Sequence, residues 1–252
     1  MSSTAPAPED ILGQIAAYDG WRHRIEVAPG VFTPGRNCAG KLRLMDLPER
    51  LDGLRVLDIG AADGFFSFEC ERRGAAEVVA LDTRHPYPAG SEGSGFNLAK
   101  AALGSRVRHV RGSLYDADLG TFDLVLCLNV LYHVPEVLLA VRRLRDYTRI
   151  GARVVIATLV MDQGLVLPDG STSPIADVAP ALKDAPLMQF LPAVAGWEDR
   201  DSSFWQISSA ALTGMLGRVG FEVERMKLGG ADRAYITARA VERKPGDRLF
   251  TA

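Results

Sequence analysis

The stretch Arg55-Val-Leu-Asp-Ile-Gly-Ala-Ala-Asp-Gly-Phe-Phe-Ser-Phe-Glu-Cys-Glu-Arg-Arg-Gly-Ala75 leaves a chain few ways to fold. Val56-Leu57-Asp58-Ile59 is a short apolar run with one carboxylate, the pattern of a buried parallel strand. Gly60 to Gly64 holds only small residues and an Asp, so the backbone can turn sharply and a ligand can approach it closely. Phe65 to Arg73 reads as a helix ended by Gly74. Strand, tight loop and helix together make the opening unit of a nucleotide-binding α/β sheet. The start of that helix offers unpaired N–H groups and a partial positive charge to an anion.

A dinucleotide loop reads G-x-G-x-x-G, whereas here Gly60-Ala61-Ala62-Asp63-Gly64 leads straight into Phe65. The third glycine is missing and no hydride-transfer set is visible, which disfavours an NAD-dependent oxidoreductase. The loop resembles instead motif I of class I S-adenosylmethionine-dependent methyltransferases, roughly acidic-x-G-x-G/D-x-G. The resemblance implies an α/β, Rossmann-like methyltransferase fold with a mostly parallel seven-stranded sheet and an antiparallel final strand. It also implies S-adenosylmethionine as cofactor, held by Asp58, Gly60, Ala61, Asp63, Gly64 and Phe65.

The rest of the chain follows the same alternation. A helix is expected over Asp10–Asp19, an extended lead-in segment over Trp21–Thr33, and a helix over Leu42–Leu51 limited by Pro48. Strands are expected at Val78–Asp82, Val107–Val110, Phe122–Leu128 and Val154–Val160. Helices are expected at Asn97–Leu103 and Pro135–Arg149, the latter broken by Gly151. Met161 to Asp201 interrupts the rhythm and is too long for an ordinary connection, so it reads as a lid insertion. Ser208 then caps a helix to Arg218, stopped by Gly220. Phe221–Met226 and Arg233–Arg239 alternate at period two and form an antiparallel pair across Gly229-Gly230. The expected organisation is a cap segment over 1–50, a domain over 51–240 with its insertion at 162–201, and a loose tail over 241–252.

Further site residues follow from position. Asp82 ends the second strand 22 residues after Gly60, where a carboxylate can take both hydroxyls of a ribose, with Thr83 and Arg84 beside it. Ser113 and Leu114, after the third strand, are placed to wall an adenine. Asn129 and Val130, at the carboxyl end of the fourth, would lie beside the amino-acid part of the cofactor. Tyr132 and His133 follow. His133 is either a general base or a structural residue holding its loop. Trp21, His23, Phe32, Trp197, Phe204 and Trp205 are candidates to wall an apolar or aromatic acceptor, or else they are packing.

Several segments together narrow the resemblance: Trp21-x-His23-Arg24-Ile25-Glu26, Val31-Phe32-Thr33-Pro34-Gly35, Phe68 to Ala75, Leu131-Tyr132-His133 and Thr158 to Asp162. They are similar to the subfamily related to the tRNA wobble-uridine carboxymethyltransferase that makes 5-oxyacetyluridine. That resemblance implies a carboxylated cofactor held by Lys41 and Tyr132, with Arg233 a candidate third contact.

Composition bears on the acceptor. The 252 residues carry a net charge of −2, which argues against a broad nucleic-acid footprint. A small-molecule acceptor of secondary metabolism is therefore the leading expectation, and a tRNA uridine the alternative. The start, Met1 to Asp10, has no basic region ahead of an apolar one, and no run of 18 apolar residues exists. The expectation is a cytoplasmic protein without a membrane partner or a metal, with a homodimer left open. Cys38, Cys70 and Cys127 are too few and too widely spaced for a disulfide framework or a zinc set.

Overall fold

The computed structural model describes residues 8–83, 95–191, 203–229 and 232–242. The strands of its main sheet are β1 (Arg55–Ile59), β2 (Glu77–Asp82), β3 (Arg108–Arg111), β4 (Phe122–Leu128), β5 (Thr148–Leu159), β6 (Phe221–Leu228) and β7 (Arg233–Ala240). They are ordered β6-β7-β5-β4-β1-β2-β3. β7 runs antiparallel to both its neighbours, and the other pairs described are parallel. This is the expected mostly parallel sheet with an antiparallel last strand. The chain divides into two compact units, Met1–Arg43 with Pro48–Ser113, and Leu44–Leu47 with Leu114–Ala252.

In the first unit, β1 and β2 pair in register from Arg55 opposite Glu77 to Ile59 opposite Leu81. Val56, Leu57, Val79, Ala80 and Leu81 are fully buried, as a strand covered on both faces requires. Helix α1 (Pro8–Ala17) packs on α4 (Gly95–Leu103). Between β1 and β2 lies α3 (Phe65–Arg72), entered through Gly64 and left through Gly74, both at φ 90°. A Cβ at Gly64 would sit 2.7 Å from the rings of Phe68 and Phe96, so both the turn and the packing demand glycine there. Trp21–Thr33 is not simply extended. Glu26–Ala28 and Val31–Phe32 close a two-stranded hairpin, and His23 bridges Arg36.

In the second unit, α5 (Val137–Tyr147) crosses from β4 to β5, and α7 (Ser209–Val219) precedes β6. Ser208 caps α7, its Oγ accepting from Ala211 N at 3.2 Å, and Gly220 ends it at φ 94°. The expected insertion has structure of its own. It contains a small hairpin (Leu165–Val166 with Thr172–Ser173), α6 (Ile175–Val178) and a strand, Met188–Phe190, paired with Trp205–Ile207.

Two boundaries are corrected. The helix expected over Leu42–Leu51 is α2 (Ala39–Leu44), because Asp46 adopts φ 50° and Pro48 follows. The helix expected to reach Arg149 stops at Tyr147, and β5 starts at Thr148, not Val154, with Gly151 inside it at φ 82°. Cys38, Cys70 and Cys127 are buried free thiols. No helix among the described residues is long and apolar enough to cross a membrane.

Candidate functional site

In the first unit the carboxyl ends of β1 and β2 hold the glycine loop. Gly60 N–H donates to the Leu81 carbonyl at 2.8 Å, and Gly64 N–H to that of Ala61 at 2.9 Å. Ala62, at φ 49°, gives its N–H to Asp82 Oδ2 at 2.7 Å. Asp82 thus fixes the loop from the next strand. Asp58 is 1% exposed and takes the Ser67 hydroxyl at 2.6 Å. Burial pushes its carboxyl up to about 7, against the Ser67 bond, with the charge of Asp82 adding to the rise. Small residues on a tight turn, two neighbouring carboxylates and the start of α3 suit a nucleoside whose sugar hydroxyls need acceptors. Thr83 is exposed and Ser113 half-buried, as is Phe65, whose ring stands edge-on to Phe66 at 5.0 Å.

Asp63 does something the sequence did not suggest. Its Oδ2 accepts the main-chain N–H groups of Arg22, at 2.5 Å, and His23, at 2.8 Å. The loop and the segment ahead of it are tied by this carboxylate. Burial raises its pKa, and those two bonds oppose the rise. The His23 carbonyl accepts from Thr33 Oγ1 at 2.6 Å, and a Cβ on Gly35 would come within 2.4 Å of the His23 backbone. His23 is clamped, its ring 6.0 Å from Phe65 and 5.8 Å from Phe66, with Nδ1 buried and unpartnered. Its pKa is lowered to about 4, first by burial and then by the charges of Lys41 and Arg22. Lys41 lies on α2, half-buried. Trp21, read as a possible acceptor wall, is a core residue: it is 8% exposed and its Nε1 donates to the Ile15 carbonyl at 3.0 Å. Phe32 is exposed, with the Arg24 guanidinium 4.2 Å from its ring centre. His109, unremarked in the sequence, stacks on Phe96 at 4.1 Å and feels the charge of Asp82. It stands at an alternate position of a short strand, a pattern that by itself points to no ligand.

In the second unit a separate cluster gathers at the ends of β4 and β5 and the start of β7. Asn129 sits at φ 61°, gives its N–H to the Ala157 carbonyl at 2.7 Å and accepts from Arg233 Nη1 on its Oδ1. The Arg233 guanidinium lies 5.7 Å from the Tyr132 ring centre, and the Tyr132 and His133 rings are 4.1 Å apart. His133 N–H donates to the Val130 carbonyl at 2.8 Å, closing the single turn Leu131–His133. The Tyr132 carbonyl accepts from Phe204 N at 2.7 Å, and Trp205 Nε1 donates to the Pro135 carbonyl at 3.0 Å. The structure therefore brings together Asn129, Val130, Tyr132, His133, Phe204 and Trp205, with Arg233, the candidate contact named from the resemblance, bonded to Asn129. Leu114 is buried, its carbonyl taken by Tyr147 Oη at 3.0 Å. Trp197 and Arg84 lie outside the described residues.

Residues 31–225 match the family described as "Methyltransferase domain". The chain belongs to this family. It is a class I, S-adenosylmethionine-dependent methyltransferase, and S-adenosylmethionine is its cofactor. A tRNA U34 carboxymethyltransferase of Dichelobacter nodosus is 33% identical to the methyltransferase over 120 residues, covering 48% of this chain and 37% of that one. A ubiquinone biosynthesis O-methyltransferase of Vibrio parahaemolyticus is 29% identical over 125 residues, covering 47% and 50%. The matches thus span half or less of those relatives' lengths. Among solved structures, the N-terminal domain of EvdMO1 with SAH bound superposes with a TM-score of 0.63 at 19% identity, over 95% of this chain and 100% of that one. At that identity the likeness concerns the fold. The residues of the glycine loop suit the cofactor: the loop carries no side chain larger than Asp63, whose carboxylate is turned to main-chain groups of Arg22 and His23.

Proposed function

We propose that this methyltransferase moves the methyl group of S-adenosylmethionine onto a small-molecule acceptor of secondary metabolism. The observation that carries this reading is the Asn129–Arg233–Tyr132 cluster with Phe204 and Trp205 bonded beside it. The cluster sets one guanidinium against aromatic rings, on a chain whose net charge is −2, which supports a small acceptor over a polynucleotide.

In this reading the Gly60–Gly64 main chain with Asp58 holds the cofactor, and Asp82 takes its ribose. Thr83, Ser113 and Leu114 serve the adenosine, and Lys41, Asn129 and Val130 serve the amino-acid portion. S-adenosylmethionine supplies a methyl group already activated on a sulfonium sulfur. The chain's own task is to orient the acceptor and exclude water, which is worth about 7–11 kcal/mol in well-aligned cases. His133 would take the proton that an acceptor hydroxyl or amine releases, and Tyr132, packed on it, would hold its ring. Phe204 and Trp205 would line the acceptor.

The likeness to tRNA U34 carboxymethyltransferases favours a second reading, transfer to a wobble uridine in tRNA. Lys41, Tyr132 and Arg233 would then hold a carboxylated cofactor. Incubation with S-adenosylmethionine, and separately with its carboxylated form, each labelled on the transferred carbon, separates the two. Label from S-adenosylmethionine in an extract small molecule other than the cofactor and its breakdown products, with none in added tRNA, is expected. Label in the tRNA, lost steeply with salt, would overturn the first reading in favour of the second.

A further inference from the structure

Phe190, in the insertion of the second unit, is 55% exposed, more than any other aromatic side chain among the described residues. Its main chain is nonetheless held on both sides. The preceding Gln189 gives Nε2 to the Val166 carbonyl at 2.7 Å and takes the Val166 N–H on Oε1 at 3.0 Å. The following Leu191 is buried and gives its N–H to the Phe204 carbonyl at 2.8 Å. A ring left in water forfeits the burial that would stabilise the fold. On a fixed backbone, the same ring can meet a ligand at little cost in ordering.

The face that carries Phe190 is turned to the candidate site. Phe190 lies directly opposite Trp205 in the antiparallel pair, so the two side chains leave it on one face. Their rings meet edge to face, 5.4 Å between centres. Trp205 reaches from that face to the turn after β4, where its Nε1 is bonded to the Pro135 carbonyl. In the same turn Phe204 N–H is bonded to the Tyr132 carbonyl, and the Tyr132 and His133 rings are 4.1 Å apart. Tyr132, His133 and Trp205 are half-buried. The aromatic side chains run from the cluster through Trp205 to an open end at Phe190, and Met188, 39% exposed, shares that face two residues earlier. Scattered exposed apolar residues need no explanation, but a group of them continuous with a site marks where a ligand lies.

We infer that Phe190 and Trp205 form an outer subsite for the methyl acceptor, which takes a flat apolar ring remote from the atom that is methylated. This rests on the small-acceptor reading and deepens it: the acceptor carries an aromatic or conjugated ring beyond the group that meets His133. An edge-to-face pair offers a ring edge and a ring face side by side, and a flat ring packs against both better than a puckered one of the same size. The four side chains of the face, Met188, Phe190, Trp205 and Ile207, are uncharged, so the contact selects shape and apolarity. Phe190 is a specificity-determining residue and takes no part in the transfer itself.

The test uses the full chain with S-adenosylhomocysteine bound, titrated by calorimetry with phenol, 4-phenylphenol and 4-cyclohexylphenol. The wild type should bind 4-phenylphenol about tenfold more tightly than phenol, and more tightly than 4-cyclohexylphenol. Phe190→Ala should lose about fivefold for 4-phenylphenol while phenol and S-adenosylhomocysteine bind as before. Phe190→Leu keeps an apolar side chain without the ring, and should bind 4-phenylphenol and 4-cyclohexylphenol alike. Both variants should unfold within about 2 °C of the wild type, because the ring stands largely in water. Wild-type affinity of Phe190→Ala for 4-phenylphenol, or a parallel loss for all three phenols, overturns the inference. So does a midpoint well below that range in both variants, since the ring then serves the fold. A wild type that binds neither phenol nor 4-phenylphenol also overturns it, and methyl label found in added tRNA would then remove the small-acceptor reading as well. Binding of both compounds that neither substitution alters removes the inference alone.

Discussion

His23 shows how much of this chain is devoted to placing one side chain. Asp63, Thr33 and the bare backbone at Gly35 fix its main chain, and Phe65 and Phe66 receive its ring. The imidazole is buried beside Lys41 and Arg22, which lowers its pKa from 6.5 to about 4. The unfolded chain therefore binds a proton there between those values and the folded chain does not, so stability rises with pH across that window. Asp58 works the other way. Its folded pKa is raised to about 7, so its contribution is present at low pH and lost as pH rises through that value. Since the two windows overlap, only a difference between variants isolates His23. The stability of wild type minus that of His23→Asn, from urea unfolding, should climb from pH 4 to pH 6.5 and then level. A difference that stays flat would remove the burial of a neutral imidazole from the account.

Elements are joined by polar staples as well as by packing. Arg145, on α5 and 9% exposed, donates to three carbonyls: Gly220 at 3.0 Å, Thr148 at 3.1 Å and Val241 at 2.8 Å. Those carbonyls belong to the end of α7, the start of β5 and the exit from β7. One side chain thus ties a helix to three strand or helix ends, two of which also bond each other through Val241 N–H and the Gly220 carbonyl at 2.9 Å. Arg145→Met keeps the stem and removes the donors. It should destabilise the fold by about 2–4 kcal/mol, because buried acceptors are left unpaired. Urea unfolding reads this directly, and a loss within experimental error would make the staple ornamental. The same junction explains why the helix boundary was misread. The apolar periodicity of 135–149 runs on past Tyr147, but Thr148 turns its Oγ1 back to the Leu144 carbonyl at 2.7 Å and enters the strand. Periodicity records which face is apolar. It does not record where a long-range carbonyl captures an arginine.

Across the whole chain, what was legible in the residues was whatever repeats locally. β1, the glycine loop, α3 and the carboxylate at the end of β2 could all be read, because a buried strand, a tight turn and a helix start each demand particular residue types. The antiparallel pair of β6 and β7 was legible from its alternation. Contacts between distant segments were not. Asp63 looked like a ligand of the cofactor and is bonded to residues forty positions earlier. Trp21 looked like a wall for the acceptor and is packed in the core. Arg233 was legible only through a family resemblance, and its bond to Asn129, over a hundred positions away, leaves no trace in sequence order. The account stands on the cofactor held at the glycine loop, so calorimetric titration of wild type and Asp82→Ala with S-adenosylhomocysteine tests it most directly. One site per chain, weakened at least tenfold by the substitution in a variant that still folds, is the predicted result. No binding to the wild type, or equal affinity in the two proteins, would contradict it.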